Sequence, residues 1–271
     1  LFGKGFGRVP EGKFNLGEDI FKFGNFLRGN YTLLPPYKKA ERQALSVLLY
    51  TGGTTGVPKG VPISNTLFMH RAEVIRNERA SLISKGEDIV IQAVPLFHVF
   101  GMLLAGGSLL VGDTLILYPK VNLDGIFDHI QRYKVRTLFG VPTLYRMILE
   151  HARVDYYDLS SIEYTFSAAD ILPLEVERRW NRKFGQAVYQ GYGATETGAA
   201  VSMGKLGEEQ REGSAGKLMS FQRIKVVDSD TLEPVPTGQS GEILVSSDDM
   251  VTSYWNNPEE TAKCFVEMDR K

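Results

Sequence analysis

Residues Tyr50–Val61 read Tyr-Thr-Gly-Gly-Thr-Thr-Gly-Val-Pro-Lys-Gly-Val. Gly52, Gly53 and Gly56 free the backbone to curl and to present its N–H groups to an anion. Thr51, Thr54 and Thr55 add hydroxyl donors, and Lys59 adds a fixed positive charge. Such a loop suits a polyphosphate. The apolar run Ala44–Tyr50 before it predicts a buried strand, and a helical pattern begins near Ser64. Strand, glycine loop, helix is the setting that phosphate loops use. The loop is not a Walker A sequence, because Lys59 lies between Pro58 and Gly60 and no hydroxyl follows it.

Three further stretches carry usable chemistry. In Tyr189-Gln-Gly-Tyr-Gly-Ala-Thr-Glu196 a strand is expected to end at Tyr189 or Gln190. A glycine turn through Gly191 and Gly193 then delivers Tyr192, Thr195 and Glu196. Tyr192 offers a flat face for a base, Thr195 a hydroxyl for phosphate and Glu196 a hard oxygen for Mg²⁺. Taken alone, the same residues make an ordinary strand-to-loop turn with a surface glutamate. Ser167-Ala-Ala-Asp170 follows a strand, and the small side chains of Ala168 and Ala169 let a planar base lie against the backbone. Asp170 either accepts a bond from an adenine amino group or caps a helix beginning before Leu172, and the cap is favoured slightly. In Pro95-Leu-Phe-His-Val-Phe-Gly101, His98 sits among aromatics, where a packed core histidine is the commoner outcome. Phe97, Phe100, Met102 and Leu103 beside it are pocket wall or plain core, core being the safer choice for each.

These residues need a scaffold, and the 271-residue chain is long enough for one large domain or two modest ones. Apolar runs at Ala44–Tyr50, Asp88–Val94, Thr114–Tyr118, Arg136–Val141, Tyr164–Ser167 and Ala187–Gln190 predict strands. Helical stretches at Ser64–Lys85, Leu123–Tyr133, Thr143–His151 and Leu174–Phe184 lie between them. Ser64 or Asn65 is expected to cap the first helix, and Asn122 or Asp124 to start the second. This alternation predicts an α/β fold with a largely parallel sheet, helices on both faces and binding loops at the carboxyl ends of strands. A smaller β-rich unit follows, with strands at Arg223–Asp228 and Gly241–Ser247 and a helix at Pro258–Phe265. The expected division is a leading segment 1–43, a nucleotide-binding part 44–205 and an incomplete β-rich subdomain 206–271.

Composition excludes several classes. A net charge of −1 leaves no basic footprint for nucleic acid. Four histidines and the single Cys264 leave little for a structural zinc site, and one cysteine without an internal disulfide fits a reducing cytosol. The N-terminus lacks an initiator Met and does not read as a signal peptide. Ile89–Gly112 carries no Asp, Glu, Lys or Arg, but Gln92, Pro95, His98 and four glycines break it into a buried strand, a turn and a buried helix.

Tyr50–Val61 resembles the signature loop of the AMP-forming adenylate synthetases, which comprise acyl-CoA synthetases, luciferases and the adenylation domains of peptide synthetases. The family usually has Ser where this chain has Gly52, a change familiar among fatty acyl-CoA ligases. Tyr192-Gly-Ala-Thr-Glu196 resembles the family's second motif, Ser167–Asp170 its Gly-Ala-Ala segment with Ala168 in place of glycine, and Pro95–Gly101 its histidine motif. The resemblance covers about residues 44–265. It implies that the loop grips the β and γ phosphates of ATP, that Tyr192 lines the adenine site, that Thr195 meets the α-phosphate and that Glu196 coordinates Mg²⁺. It implies that His98 borders the acid near the reacting carboxylate. The implied reaction joins a carboxylic acid to AMP and then to coenzyme A, in the cytoplasm, with a medium- or long-chain fatty acid as the leading substrate. A membrane-spanning segment is not expected, and peripheral membrane contact stays open. An amino-acid or aryl-acid adenylation domain and a non-catalytic relic of the fold are the alternatives. Phe139–Thr143, Gly213–Gly216, Gly241–Ile243 and Tyr254-Trp-Asn-Asn-Pro-Glu259 are further echoes, read mostly as scaffold. The family's ribose-gripping Thr-Gly-Asp motif and its small C-terminal domain have no counterpart before Lys271, so the chain alone is expected to bind ATP weakly and to turn over little.

Overall fold

The computed structural model describes residues 41–51, 57–79 and 82–267. Gly52, Gly53, Thr54, Thr55 and Gly56 therefore lie outside the described residues, as does nearly all of the segment 1–43.

A seven-stranded sheet with the order β4-β3-β5-β6-β7-β8-β9 organises the chain. Its strands are β3 (Ile89–Gln92), β4 (Thr114–Leu117), β5 (Thr137–Gly140), β6 (Tyr164–Ser167), β7 (Val188–Ala194), β8 (Ala199–Met203) and β9 (Lys217–Leu218). The first five in spatial order pair in parallel, and β8 and β9 are antiparallel additions. β5 and β6 are buried at every residue, which is why they read as continuous apolar runs without alternation.

Helices cover both faces, as expected. On one side α1 (Asn65–Arg79) and α2 (Val99–Leu110) pack Ile75, Leu103 and Leu104 against Phe139 and Phe166. On the other, α3 (Leu123–Tyr133), α4 (Pro142–Glu150) and α5 (Leu174–Phe184) pack Phe127, Tyr145 and Trp180 against Ile91, Leu138 and Val188. Ser64 caps α1 through Oγ, which accepts the Leu67 N–H at 3.2 Å. Asn122 caps α3 in the same way, through Gly125 at 3.1 Å. α5 carries Glu175 and Glu177 in its first turn and Arg182 and Lys183 in its last, matching its dipole, and stops at left-handed Gly185. α1 and α2 approach closely because α2 has glycines at the crossing. A Cβ on Gly107 would lie 2.3 Å from the Ala72 carbonyl oxygen.

Tyr145 ties α4 to the neighbouring strands β5 and β6. Its buried Oη donates toward the carbonyls of Phe166 (2.8 Å) and Leu138 (3.1 Å), and burial pushes its phenol well above the ordinary range. Tyr145→Phe is expected to lower the unfolding free energy by about 1 kcal/mol in urea denaturation.

Several expectations need correction. The glycine loop does not run from a parallel strand into a helix. β1 (Leu45–Thr51) and β2 (Lys59–Ser64) form a separate antiparallel pair in which Thr51 faces Lys59, so a second strand follows the glycine segment and α1 starts only after it. Gly60 and Pro62 hid β2, since both usually break strands. Pro is tolerated here because β2 is an edge, and Gly60 suits the crowded spot where Leu48 and the Trp255 Cβ lie 3.2 and 3.3 Å from where its Cβ would be. α1 ends at Arg79 rather than Lys85. β7 does not stop at Gln190 but continues to Ala194. Asp170 caps no helix: it accepts the N–H of Ile171 at 2.8 Å, and α5 begins four residues later behind Pro173.

The β-rich expectation for the later residues is met by an antiparallel hairpin of β10 (Arg223–Val227) and β11 (Glu242–Ser246), followed by the short helix α6 (Pro258–Cys264). No described helix is long and apolar enough to cross a membrane.

Candidate active site

β7 changes partners half-way. Val188–Gln190 pair in parallel with β6, whereas Gly191–Ala194 pair antiparallel with β8. Glycine makes the change possible. A Cβ on Gly191 would meet the Phe166 ring at 2.5 Å, and one on Gly193 would sit 1.8 Å from the Ala199 carbonyl oxygen. The strand thereby splays out from the sheet, and a cleft of about 520 Å³ opens beside it.

The cleft gathers residues from all four motifs. Thr51 and Lys59 from the two ends of the glycine loop, His98, Ala168, Ala169, Gly191, Tyr192, Gly193, Thr195 and Glu196 all line it. Of the other anticipated residues, Gln190 is buried behind it with Nε2 on Glu177 (3.2 Å), and Asp170 is exposed beyond its wall. Phe100 and Leu103 are wall, Met102 packs against the core, and Phe97 projects into solvent. Ala169 (φ +72°) and Ala199 (φ +91°), both lining the cleft, hold left-handed conformations that L-residues avoid. Strain of this kind concentrates where a backbone must fit a ligand.

Charge is concentrated at one end. Lys59 Nζ donates to Glu260 Oε2 at 3.1 Å and lies 5.0 Å from the centre of the Tyr254 ring. Glu196 Oε1 accepts the Tyr254 hydroxyl at 2.7 Å, which fixes the carboxylate at the cleft edge. The Tyr254 phenol is pushed far up by burial and by its bonds to Cys264 and Glu196, so it stays a donor. From sequence Tyr254 reads as scaffold, and Glu260 is not singled out. Their partners are 58 and 201 positions away, beyond any local pattern.

His98 has a local duty as well. Its Nδ1 accepts the Phe100 N–H at 3.2 Å and caps α2. Burial of part of the ring lowers its pKa, favouring the neutral form. With Nδ1 accepting, the neutral ring carries its proton on Nε2, so His98 presents a hydrogen-bond donor and not a base. The buried part of the wall is apolar: Ile75, Leu103, Leu104, Phe166 and Met203.

The chain is similar to known proteins along most of its length. The profile of the family described as "AMP-binding enzyme" matches residues 12–255. The chain belongs to that family. It is 36% identical to 4-coumarate–CoA ligase 2 of Nicotiana tabacum over 84% of this chain and 43% of that one. It is 30% identical to the long-chain-fatty-acid–CoA ligase of Bacillus subtilis, over 92% and 45%. Among solved structures, the anthranilate CoA ligase AuaEII in complex with anthranoyl-AMP superposes with a TM-score of 0.82 at 27% identity, covering 92% of this chain and 48% of that one. ATP-bound MatB from Rhodopseudomonas palustris gives 0.77 at 27%, covering 84% and 44%. The chain spans about half the length of the relatives it matches. The shared fold is that of an adenylate-forming enzyme, and the family's relatives are acid–CoA ligases.

Proposed function

We propose that this chain forms the ATP- and acid-binding part of an AMP-forming acid–CoA ligase. The observation that carries the reading is the single cleft lined by Thr51, Lys59, His98, Tyr192, Thr195 and Glu196. Lys59 sits at the base of the glycine loop and binds the β and γ phosphates. Tyr192 and the Ala168–Ala169 backbone flank adenine, and Thr195 meets the α-phosphate. His98 Nε2–H orients the carboxylate of the acid. One carboxylate oxygen attacks the α-phosphorus, the bond to the bridging oxygen of pyrophosphate breaks, and acyl-AMP forms. The thiol of coenzyme A then takes the acyl group and AMP leaves. Holding two anionic reactants in line is the main contribution of such a site.

The donor set fits Mg²⁺ brought in by ATP. Among the described residues no group of three His, Cys, Asp or Glu forms a cage. Glu196 would hold the ion together with water and phosphate oxygens, an arrangement Mg²⁺ accepts. Bound there, Mg²⁺ would offset the charge of the phosphates and of departing pyrophosphate.

The acid proposed is a medium- or long-chain fatty acid. Among the described residues that line the cleft, Lys59 and Glu196 are the only Lys, Arg, Asp or Glu, and both belong to the nucleotide end. A second carboxylate or an ammonium on the acid would find no counter-charge on the apolar wall. An aryl acid is the second reading, favoured by the match to 4-coumarate–CoA ligase 2 and by the Phe100 and Phe166 rings paired at 5.7 Å on the wall. Titration calorimetry with non-hydrolysable acyl-adenylate mimics of increasing chain length separates the two. Each added methylene is expected to tighten binding by about 0.8 kcal/mol, roughly fourfold, until the cleft is full. An aryl mimic that outbinds every alkyl one would reverse the assignment.

A further inference from the structure

The Tyr254–Glu260 segment touches the cleft at two points, although its sequence reads as scaffold. It is anchored to β2 beside Lys59, where the Trp255 N–H donates to the Gly60 carbonyl at 2.7 Å. Asn257 caps α6 by accepting the Glu260 N–H at 3.1 Å, so the backbone of Glu260 is fixed. The Lys59–Glu260 pair is largely enclosed, with the two side chains 15% and 18% exposed. The second oxygen of Glu260, Oε1, accepts from Lys263 Nζ at 2.9 Å, and Lys263 faces solvent. One carboxylate is thus shared between a lysine in the cleft wall and a lysine outside it. Lys263 and Lys59, in that order, hold the Glu260 carboxyl below the usual range.

We infer that Glu260 is a positioning residue that acts through Lys59: it competes with the polyphosphate for the Lys59 ammonium, and Lys263 sets how strongly it competes. This rests on the reading that Lys59 binds the β and γ phosphates. An ammonium has three donors, and a carboxylate within hydrogen-bond distance occupies one of them and repels an arriving phosphate. When Lys59 turns to phosphate, Lys263 keeps Glu260 neutralised, so the exchange strands no carboxylate. The pair therefore tunes affinity for nucleotides that carry β and γ phosphates and leaves AMP alone.

Calorimetric dissociation constants of the 271-residue chain for ATP with Mg²⁺, and for AMP, test this. Glu260→Gln is expected to tighten ATP binding about two- to fivefold, the upper range of such an ion pair, with AMP affinity unchanged. Lys263→Gln is expected to weaken ATP binding roughly two- to threefold, because Glu260 then leans wholly on Lys59. In a Lys59→Met background, Glu260→Gln is expected to change nothing. A Glu260 that serves only as a strut for α6 would instead lower ATP and AMP affinity together, and that result, or no change for ATP, overturns the inference. Should Glu260→Gln fail to fold, Lys263→Gln decides alone: unchanged ATP affinity overturns the proposal. A Lys59→Met chain that binds ATP as well as the parent, or a parent that binds no ATP, would instead remove the underlying reading of the loop.

Discussion

Lys59→Met is expected to weaken ATP binding by roughly 10- to 100-fold while leaving AMP affinity unchanged. The magnitude follows from charge-assisted hydrogen bonds, worth about 1.5–3 kcal/mol each. The selectivity follows from place. Lys59 opens β2 at the closing end of the glycine loop, and Tyr192 lines the same cleft on β7; on the proposed reading the lysine meets the β and γ phosphates, which AMP lacks. Methionine keeps the buried stem of the side chain and removes only the charge, so the β1–β2 pair is expected to survive. Glu260 retains Lys263 as a partner in the variant. Calorimetry with both nucleotides checks the prediction. Equal losses for ATP and AMP would mean a general collapse of the cleft rather than a phosphate contact.

Asp113→Ala is expected to cost about 3 kcal/mol of stability, read from the urea midpoint, because it removes the carboxylate paired with a buried guanidinium. Asp113 lies in the turn between α2 and β4, and its carboxylate bridges three groups. It accepts Arg76 Nε at 2.5 Å and Nη2 at 3.1 Å, and the Gly86 N–H at 3.0 Å. Arg76 is 2% exposed, on the inner side of α1. The pair fastens α1 to the end of α2, and these helices supply Ile75, Leu103 and Leu104 to the cleft wall. Loss of the pair is therefore expected to loosen acid binding before the chain unfolds. The double replacement Arg76→Met with Asp113→Leu is expected to recover much of the loss, since an apolar pair of similar volume replaces a buried ion pair at little cost. A double variant no more stable than Asp113→Ala would contradict this account of the pair.

The parallel sheet and its helices were legible because β3, β5 and β6 are short apolar runs, α3 opens on the capping Asn122, and α5 has acidic residues in its first turn and basic ones in its last. The residues that line the cleft were legible because Lys59, His98, Tyr192, Thr195 and Glu196 each sit in a dense local motif. What escaped had no local signature. β2 is built on Gly60 and Pro62, and only its pairing with β1 and the packing of Trp255 make it a strand. β8 begins Ala-Ala, a poor strand signal, and exists because β7 needs a partner after leaving β6. Asp170 looked like a cap because aspartate before an apolar run usually is one, but Pro173 starts the helix instead. The holds on Lys59 and Glu196 come from Glu260 and Tyr254, which no spacing rule could connect to them.

A crystal structure of the chain with Mg²⁺ and a non-hydrolysable ATP analogue tests the central claim most directly. The account predicts the β and γ phosphates within hydrogen-bond reach of Lys59 Nζ, the metal on the Glu196 carboxylate, and adenine between Tyr192 and the Ala168–Ala169 backbone. A nucleotide seated outside this cleft, or one whose phosphates touch neither Lys59 nor a Glu196-bound metal, would contradict it.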